Sequence, residues 1–181
     1  MNGLVIKKRI NNRWRMDNYM YYTLQSSKVY VDNSEFGYTP SGVVQNKRTI
    51  IHSPTGTCAV WQDSAYVQTL YAVHTDYLGS WVAITNSAAT VTNRYSYDAW
   101  GRARNVNNWE LKPVSITNAL TNLNAFQPRF DRGYTGHEHL SGFGLIHMNA
   151  RVYDPYLQRF LSPDNYIQDM ANAQNYNRYS Y

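Results

Sequence analysis

RYSYDAWGRARN, residues 94–105, alternates aromatic and polar side chains until an aspartate and, three positions later, a glycine interrupt the pattern. An aspartate opening a turn accepts hydrogen bonds from backbone amides two and three residues on, and a glycine in fourth place takes positive φ. Together they describe a type I turn closed by a bulge. Asp98 and Gly101 therefore fold a strand back on itself, and catalysis is not needed to explain them. Tyr95 and Tyr97 alternate in the strand that enters the turn and are expected to pack against neighbouring ribbons.

The same corner recurs. TDYLGSWVAITN (75–86) carries Asp76 and Gly79, 22 residues before Asp98 and Gly101, and YDPYLQRF (153–160) keeps Tyr153 and Asp154 before departing from the pattern. A recurring unit of this length is too small to bury its own apolar face and needs neighbours to stack on.

Composition agrees with ribbons. The chain has 17 Tyr, 5 Trp and 5 Phe in 181 residues, with only 16% charged residues. Aromatic and β-branched side chains suit a pleated surface, while Asn, Asp and Gly supply turns. The expected fold class is all-β, built of antiparallel hairpins. Period-two alternation predicts two short runs in 19–32 separated by the polar SSK, and a strand, turn and strand over 48–63. Residues 65–76 read as one strand with both faces covered, and 80–86 with 91–98 as a hairpin tipped by SAAT. Residues 106–130 break the rhythm and read as a long irregular surface excursion, with a short helical pattern at SITNALTNL. GLIHMNARVYD (144–154) reads as one strand, with Ile146 and Val152 on one face and Tyr153 on the other. QRFLS is a short return strand, followed by one helical turn near QDMANAQ and a closing strand at NRYSY. The organisation expected is an N-terminal β segment at 1–47, hairpins and excursion at 48–130, and a third segment at 131–181.

A length of 181 residues suffices to bury roughly 70% of the unfolded chain's surface without metal or disulfide staples. Cys58 is a lone cysteine in the apolar CAVW and is expected to be a small buried residue. No apolar run reaches the length of a transmembrane helix, and the N-terminus lacks the apolar core of a secretory signal. The net charge is +5, with Lys7, Lys8, Arg9, Arg13 and Arg15 clustered near the start. That cluster with Trp14 would suit phosphates and bases, but an edge strand also carries such charge to discourage aggregation. The second reading is preferred, and nucleic acid is not the expected partner.

YSYDAWGRARN resembles the YD repeat of the Rhs family, and HTDYLGSWVAITN the related strand before it. RGYTGHEHLSGFGLIHMNARVYDPYLQRFLSPDNYIQ, ending in NYNRYSY, resembles the Rhs repeat-associated core. The resemblance covers about residues 48–181. It implies a β-rich shell in which hairpins spiral into a hollow cocoon closed at one end by the core, many members enclosing a variable C-terminal toxin in polymorphic toxin systems. Insect toxin complexes and animal teneurins share the architecture, and the core of several members cuts itself by aspartyl chemistry. For the full-length protein it implies a secreted or cell-surface bacterial location, with upstream repeats and a C-terminal effector as partners. Two departures stand out. The family favours glycine where Gln158 stands, so that turn is expected to take another form. The sequence stops at Tyr181, before the point where the family continues to its cleavage motif.

Two clusters of reactive residues compete with the structural reading. His137 and His139 with Glu138, and His147 nearby, are zinc-type ligands, but histidines two apart are common and the helical HExxH signature is absent. Hydrogen-bonding roles are expected instead. Asp154 and Asp164 flank QRFLS, and two close carboxylates could share a proton; each already has a turn role. No nucleophile triad, phosphate loop or dinucleotide glycine pattern occurs. The expectation is a non-enzymatic shell segment without cofactor, prone to self-association, its structural corners at Asp76, Gly79, Asp98, Gly101 and Asp154. The competing expectation is a free-standing β module that binds glycan or nucleic acid through its aromatic or basic surface.

Overall fold

The computed structural model describes residues 5–14, 20–39, 41–64, 67–112, 126, 128–141, 143–167 and 171–181. It is all-β, with antiparallel sheets and only short 3-10 turns between strands. The chain forms two units, Met1–Thr75 with Ala83–Thr92, and Asp76–Val82 with Asn93–Tyr181.

The first unit is a meander in chain order: β1 (Val5–Trp14), β2 (Met20–Val31), β3 (Ser34–Tyr38), β4 (Val44–Ser53), β5 (Gly56–Ser64) and β6 (Val67–Thr75). It is continued by the outer parts of β7 (Trp81–Thr85) and β8 (Val91–Arg94). The cationic β1 is the first strand in the sheet order. β2 is one continuous strand rather than two runs, because Ser26, Ser27 and Lys28 all pair with both neighbours or with β1 in register. Ile50 pairs with Val60, both buried, and Val60 with half-buried Tyr71. β6 does not have both faces covered: Val73 is buried, whereas Gln68, Leu70, Ala72 and His74 are exposed. Cys58 also departs from expectation. It lies on an exposed position of β5, its thiol donating to the Ile51 carbonyl at 3.4 Å, as the extra residue of a bulge out of line with buried Val60.

The second unit holds a two-stranded ribbon, β9 (Ser96–Tyr97) with β10 (Ala103–Arg104), and a four-stranded sheet ordered β11 (Glu138–Leu140), β12 (Leu145–Met148), β13 (Arg151–Asp154), β14 (Arg159–Phe160). Residues 144–154 are therefore a hairpin, not one strand. Asn149 turns the chain at φ 57°, Ile146 comes opposite Tyr153, and both are buried on the same side. Asn tolerates this left-handed conformation better than most residues, which is the signal the alternating pattern hid. The excursion after Val106 is not wholly a surface feature: Phe126 packs edge-on against Tyr95 and Tyr97, and Phe130 is buried. SITNALTNL lies outside the described residues. The C-terminal helical turn is a 3-10 turn at Ala173–Tyr176, and NRYSY contributes only a bridge from Ser180 to Arg159.

The ribbons share a corner. At Asp76, Asn86 and Asp98 the first residue's amide donates to the carbonyl four residues on, and the amide three on donates back to its own carbonyl, at 3.0–3.1 Å. Thr39 closes in the same way, at 2.8 and 3.0 Å. The residue at the third following position is left-handed in each case: Gly42 (φ 82°), Gly79 (81°), Ala89 (57°) and Gly101 (86°). Asn105 and Asp154 open a version one residue longer, with Trp109 (φ 64°) and Gln158 (58°) in the left-handed place. Gln158 thus keeps the left-handed turn that its side chain was expected to prevent; β13–β14 pairing and the Asp154 cap outweigh the local cost.

A left-handed non-glycine residue costs about 1–2 kcal/mol, partly offset in any glycine variant by the entropy of the unfolded chain. Ala89→Gly and Gln158→Gly should each raise the unfolding free energy by about 0.5–1 kcal/mol, and Gly79→Ala should lower it by about 1 kcal/mol. Urea denaturation of the three variants checks the signs.

Candidate functional site

The corner at Asp98 is where the second unit converges. Asp98 Oδ1 accepts from the amides of Trp100 and Arg102, both at 2.9 Å, and Oδ2 pairs with Arg102 Nε. The second amide lies four residues on, not three as the sequence suggested, because the Gly101 amide is already donated to the Asp98 carbonyl. Asp76 repeats this with Leu78 and Ser80 at 2.9 and 2.8 Å, and Asn86 with Ala88 and Thr90 at 3.1 and 2.9 Å. Asp154 caps Tyr156 and Leu157 at 2.8 and 3.0 Å.

Two phenols from residues 131–181 take the carbonyls that the Asp98 corner leaves pointing outward. Tyr134 donates to the Ala99 carbonyl at 2.8 Å and Tyr153 to that of Trp100 at 2.9 Å. The Tyr134 ring lies against Gly101, where a Cβ would stand 2.6 Å from Cδ1. Glycine is therefore required twice, by the φ and by the close approach. Burial, with hydrogen bonding to Tyr181, holds the Tyr134 phenol well above its ordinary range, and burial pushes Tyr153 up to about 12. Both phenols stay protonated, and so remain donors, throughout the physiological range.

The Asp76 corner is held by the same segment through its backbone. Fully buried Ser80 accepts the Thr135 amide on Oγ at 3.1 Å, and the Trp81 amide donates to the Gly133 carbonyl at 3.0 Å. Tyr95 accepts the Arg129 amide at 2.7 Å. Residues 129–137 thus tie both corners and Tyr95, and their backbone takes left-handed φ at Phe130 (63°), Asp131 (57°) and Thr135 (48°). Such strain persists only where surrounding contacts over-determine it.

His139 is buried, and its Nε2 accepts the Tyr134 amide at 2.9 Å. Its ring packs on Tyr97 and Phe126 at centroid distances of 5.9 and 5.4 Å. Desolvation holds its pKa down at about 4, and lowers that of His137 with help from Arg132 and His147. His137 lies just before β11, Glu138 is buried within it, and His147 pairs opposite Glu138 on β12. Among the described residues no three His, Cys, Asp or Glu side chains are grouped as a metal site would require. Asp164 pairs with Arg151 at 3.2 Å and caps Tyr166 at 3.0 Å. Arg151 in turn lies 3.7 Å over the Phe160 ring, and Tyr181 stacks on Tyr153 at 4.6 Å. Asp154 and Asp164 therefore hold different partners, the one a turn and the other a cation.

The site is an aromatic junction that clamps two carboxylate-capped corners. Sequence reading singled out the corners at Asp76, Asp98 and Asp154; it missed Thr39, Asn86 and Asn105, where the capping oxygen is a hydroxyl or an amide. It also missed the phenol-to-carbonyl bonds, for which no local pattern exists. No helix among the described residues is long and apolar enough to cross a membrane.

No family model matches the chain, and no curated protein matches it in sequence. Several solved structures match in fold, two crystal structures among them. One is of TcdB2-TccC3-Cdc42, with TM-score 0.58 and 16% identity over 94% of this chain. The other is of TcdB2-TccC3-TEV, with TM-score 0.56 and 15% identity over 90% of this chain. The chain spans 8% and 7% of the length of those chains. The likeness is one of fold.

Removing one phenol–carbonyl bond should cost about 1 kcal/mol in Tyr134→Phe and in Tyr153→Phe. Gly101→Ala should cost at least about 2 kcal/mol, adding overpacking to the left-handed strain. Asp98→Asn, which keeps the Oδ1 acceptor, should lose under about 1 kcal/mol and Asp98→Ala about 2 kcal/mol, as a turn cap requires. Equilibrium urea unfolding of the set measures all of them.

Proposed function

We propose that this chain is a non-enzymatic stretch of the wall of an Rhs-type shell, one that in the longer protein encloses or presents a C-terminal effector. The observation that carries the reading is the clamp on the Asp98 corner. Its carboxylate, its glycine and both of its outward carbonyls are engaged in holding backbone to backbone. Reactive side chains are likewise committed to structure: His139 to an amide, Asp154 to a turn, Asp164 to Arg151. The fold likeness to TcdB2-TccC3 chains, of which this chain matches a small part, supports a role as a segment of a larger assembly.

Enclosure asks a wall to pair its strand edges with neighbours and to turn one sheet face toward the contents. Both features have counterparts here, in the terminal place of β1 in its sheet and in the exposed row of Leu70, Ala72 and His74 on β6. Upstream repeats are the natural partners of such an edge, and a folded effector is the natural content of the cavity.

The chain alone should self-associate, and co-expression with a preceding repeat segment should convert it to a defined, protease-resistant particle. Size-exclusion chromatography with light scattering and limited proteolysis read the result. A chain that stays monomeric on its own and gains no protease resistance from the preceding repeat segment would overturn the proposal, as would salt-sensitive binding to DNA or stoichiometric binding to a glycan, which belong to a free-standing binding module.

A further inference from the structure

The junction contains one hydrogen bond whose sense depends on a proton. His139 Nε2 accepts the Tyr134 amide at 2.9 Å in a buried site, so the imidazole is neutral there with its proton on Nδ1. A Cβ on Gly133 would lie 2.7 Å from the same nitrogen and would also meet the Tyr97 hydroxyl, so the space around Nε2 is filled by protein. Tyr134 is also the residue whose phenol holds the Ala99 carbonyl and whose ring covers Gly101. One bond thus positions the side chain that clamps the Asp98 corner.

We propose that the His139–Tyr134 contact is an acid-sensitive latch. Proton uptake at Nε2 turns an accepted hydrogen bond into a donor facing a donor, and residues 134–139 release the Asp98 corner. Protonated imidazole has no acceptor left, and the buried Tyr134 amide would then have no partner, which a packed site does not tolerate. The groups that face His139 decide the direction. From its own segment Asp131 favours the proton and His137 opposes it. β9 presents Tyr97, whose phenol burial holds far above neutrality, and Phe126 brings Lys112 over its ring at 5.3 Å. On the β12 side His147 stands opposite Glu138, one place along from His139. Desolvation outweighs the Asp131 carboxylate, so the closed latch stays unprotonated.

The sign follows from the lowered pKa. The closed state resists protonation down to about pH 4, whereas an open imidazole takes its proton near 6.5. Closure is fully favoured above 6.5 and weakens as pH falls toward 4, by up to about 300-fold in the closed-to-open ratio. The latch concerns the junction itself and stands whether or not the wall encloses an effector.

Hydrogen exchange of the full chain by mass spectrometry, corrected for intrinsic rates, tests it between pH 7.5 and 4.5. Protection of peptides covering 98–104 and 132–140 should fall about tenfold per pH unit below 6.5, while β5 around Val60 holds its protection. His139→Gln offers an amide oxygen to Tyr134 and cannot titrate, so its protection should be flat with pH. Flat protection in the natural chain, an equal fall in the His139→Gln variant, or a parallel fall in β5 would overturn the latch. Should that variant not fold, the nitrogen chemical shift of the His139 imidazole decides: titration near 6.5 with the 98–104 peptide still protected overturns it, and proton uptake concurrent with loss of that protection supports it.

Discussion

A reversing backbone leaves amide donors and carbonyl acceptors without strand partners, and everything else in this chain follows from how those groups are satisfied. At the Asp76, Asn86, Asp98 and Asp154 corners a side-chain oxygen collects two amides, and a left-handed residue lets the chain re-enter the ladder. The Asp98 corner shows the solution in full. Oδ1 serves Trp100 and Arg102, the Asp98 backbone closes the loop, and the carbonyls of Ala99 and Trp100 go to phenols. A corner so finished can be buried beneath another segment, because little polar surface remains to be hydrated.

This also explains why the chain is rich in tyrosine rather than phenylalanine or leucine. Covering a corner takes a side chain long and rigid enough to cross the turn, apolar along its length, with a donor at the end. Tyr134 and Tyr153 each meet that description, and Tyr95 uses its oxygen in the opposite sense, as acceptor for the Arg129 amide. Tyr97 lies buried in the same cluster and packs against Phe126, Tyr134 and His139.

The all-β class and the corners at Asp76, Asp98 and Asp154 were legible because alternation and an Asx–glycine spacing are local signals. What was illegible depends on partners far along the chain. Asn149 looked like one more polar residue in a strand, and only the pairing of Ile146 with Tyr153 reveals a turn. Cys58 looked buried because CAVW is apolar, but the register with β4 slips between Ile51 and His52 and makes Cys58 the extra residue of a bulge, out of line with buried Val60. Gln158 was read by its intrinsic preference, whereas the ladder around it decides. The histidines illustrate the limit for chemistry: spacing suggested ligands, and the fold aims His139 at a backbone amide instead.

The junction's organisation bears on how a fold made of weak ribbons can be both firm and releasable. An isolated hairpin is marginal in water, so firmness must come from clamps that link corners distant in sequence, such as Tyr134 to Ala99 and Thr135 to Ser80. Both clamps come from one short segment whose own backbone is strained at three residues, Phe130, Asp131 and Thr135. Strain of this kind persists only while the surrounding contacts hold it. A fold fastened by many equivalent contacts would loosen gradually; one fastened through a strained strap, held by a hydrogen bond to a buried histidine, has a defined place at which to part.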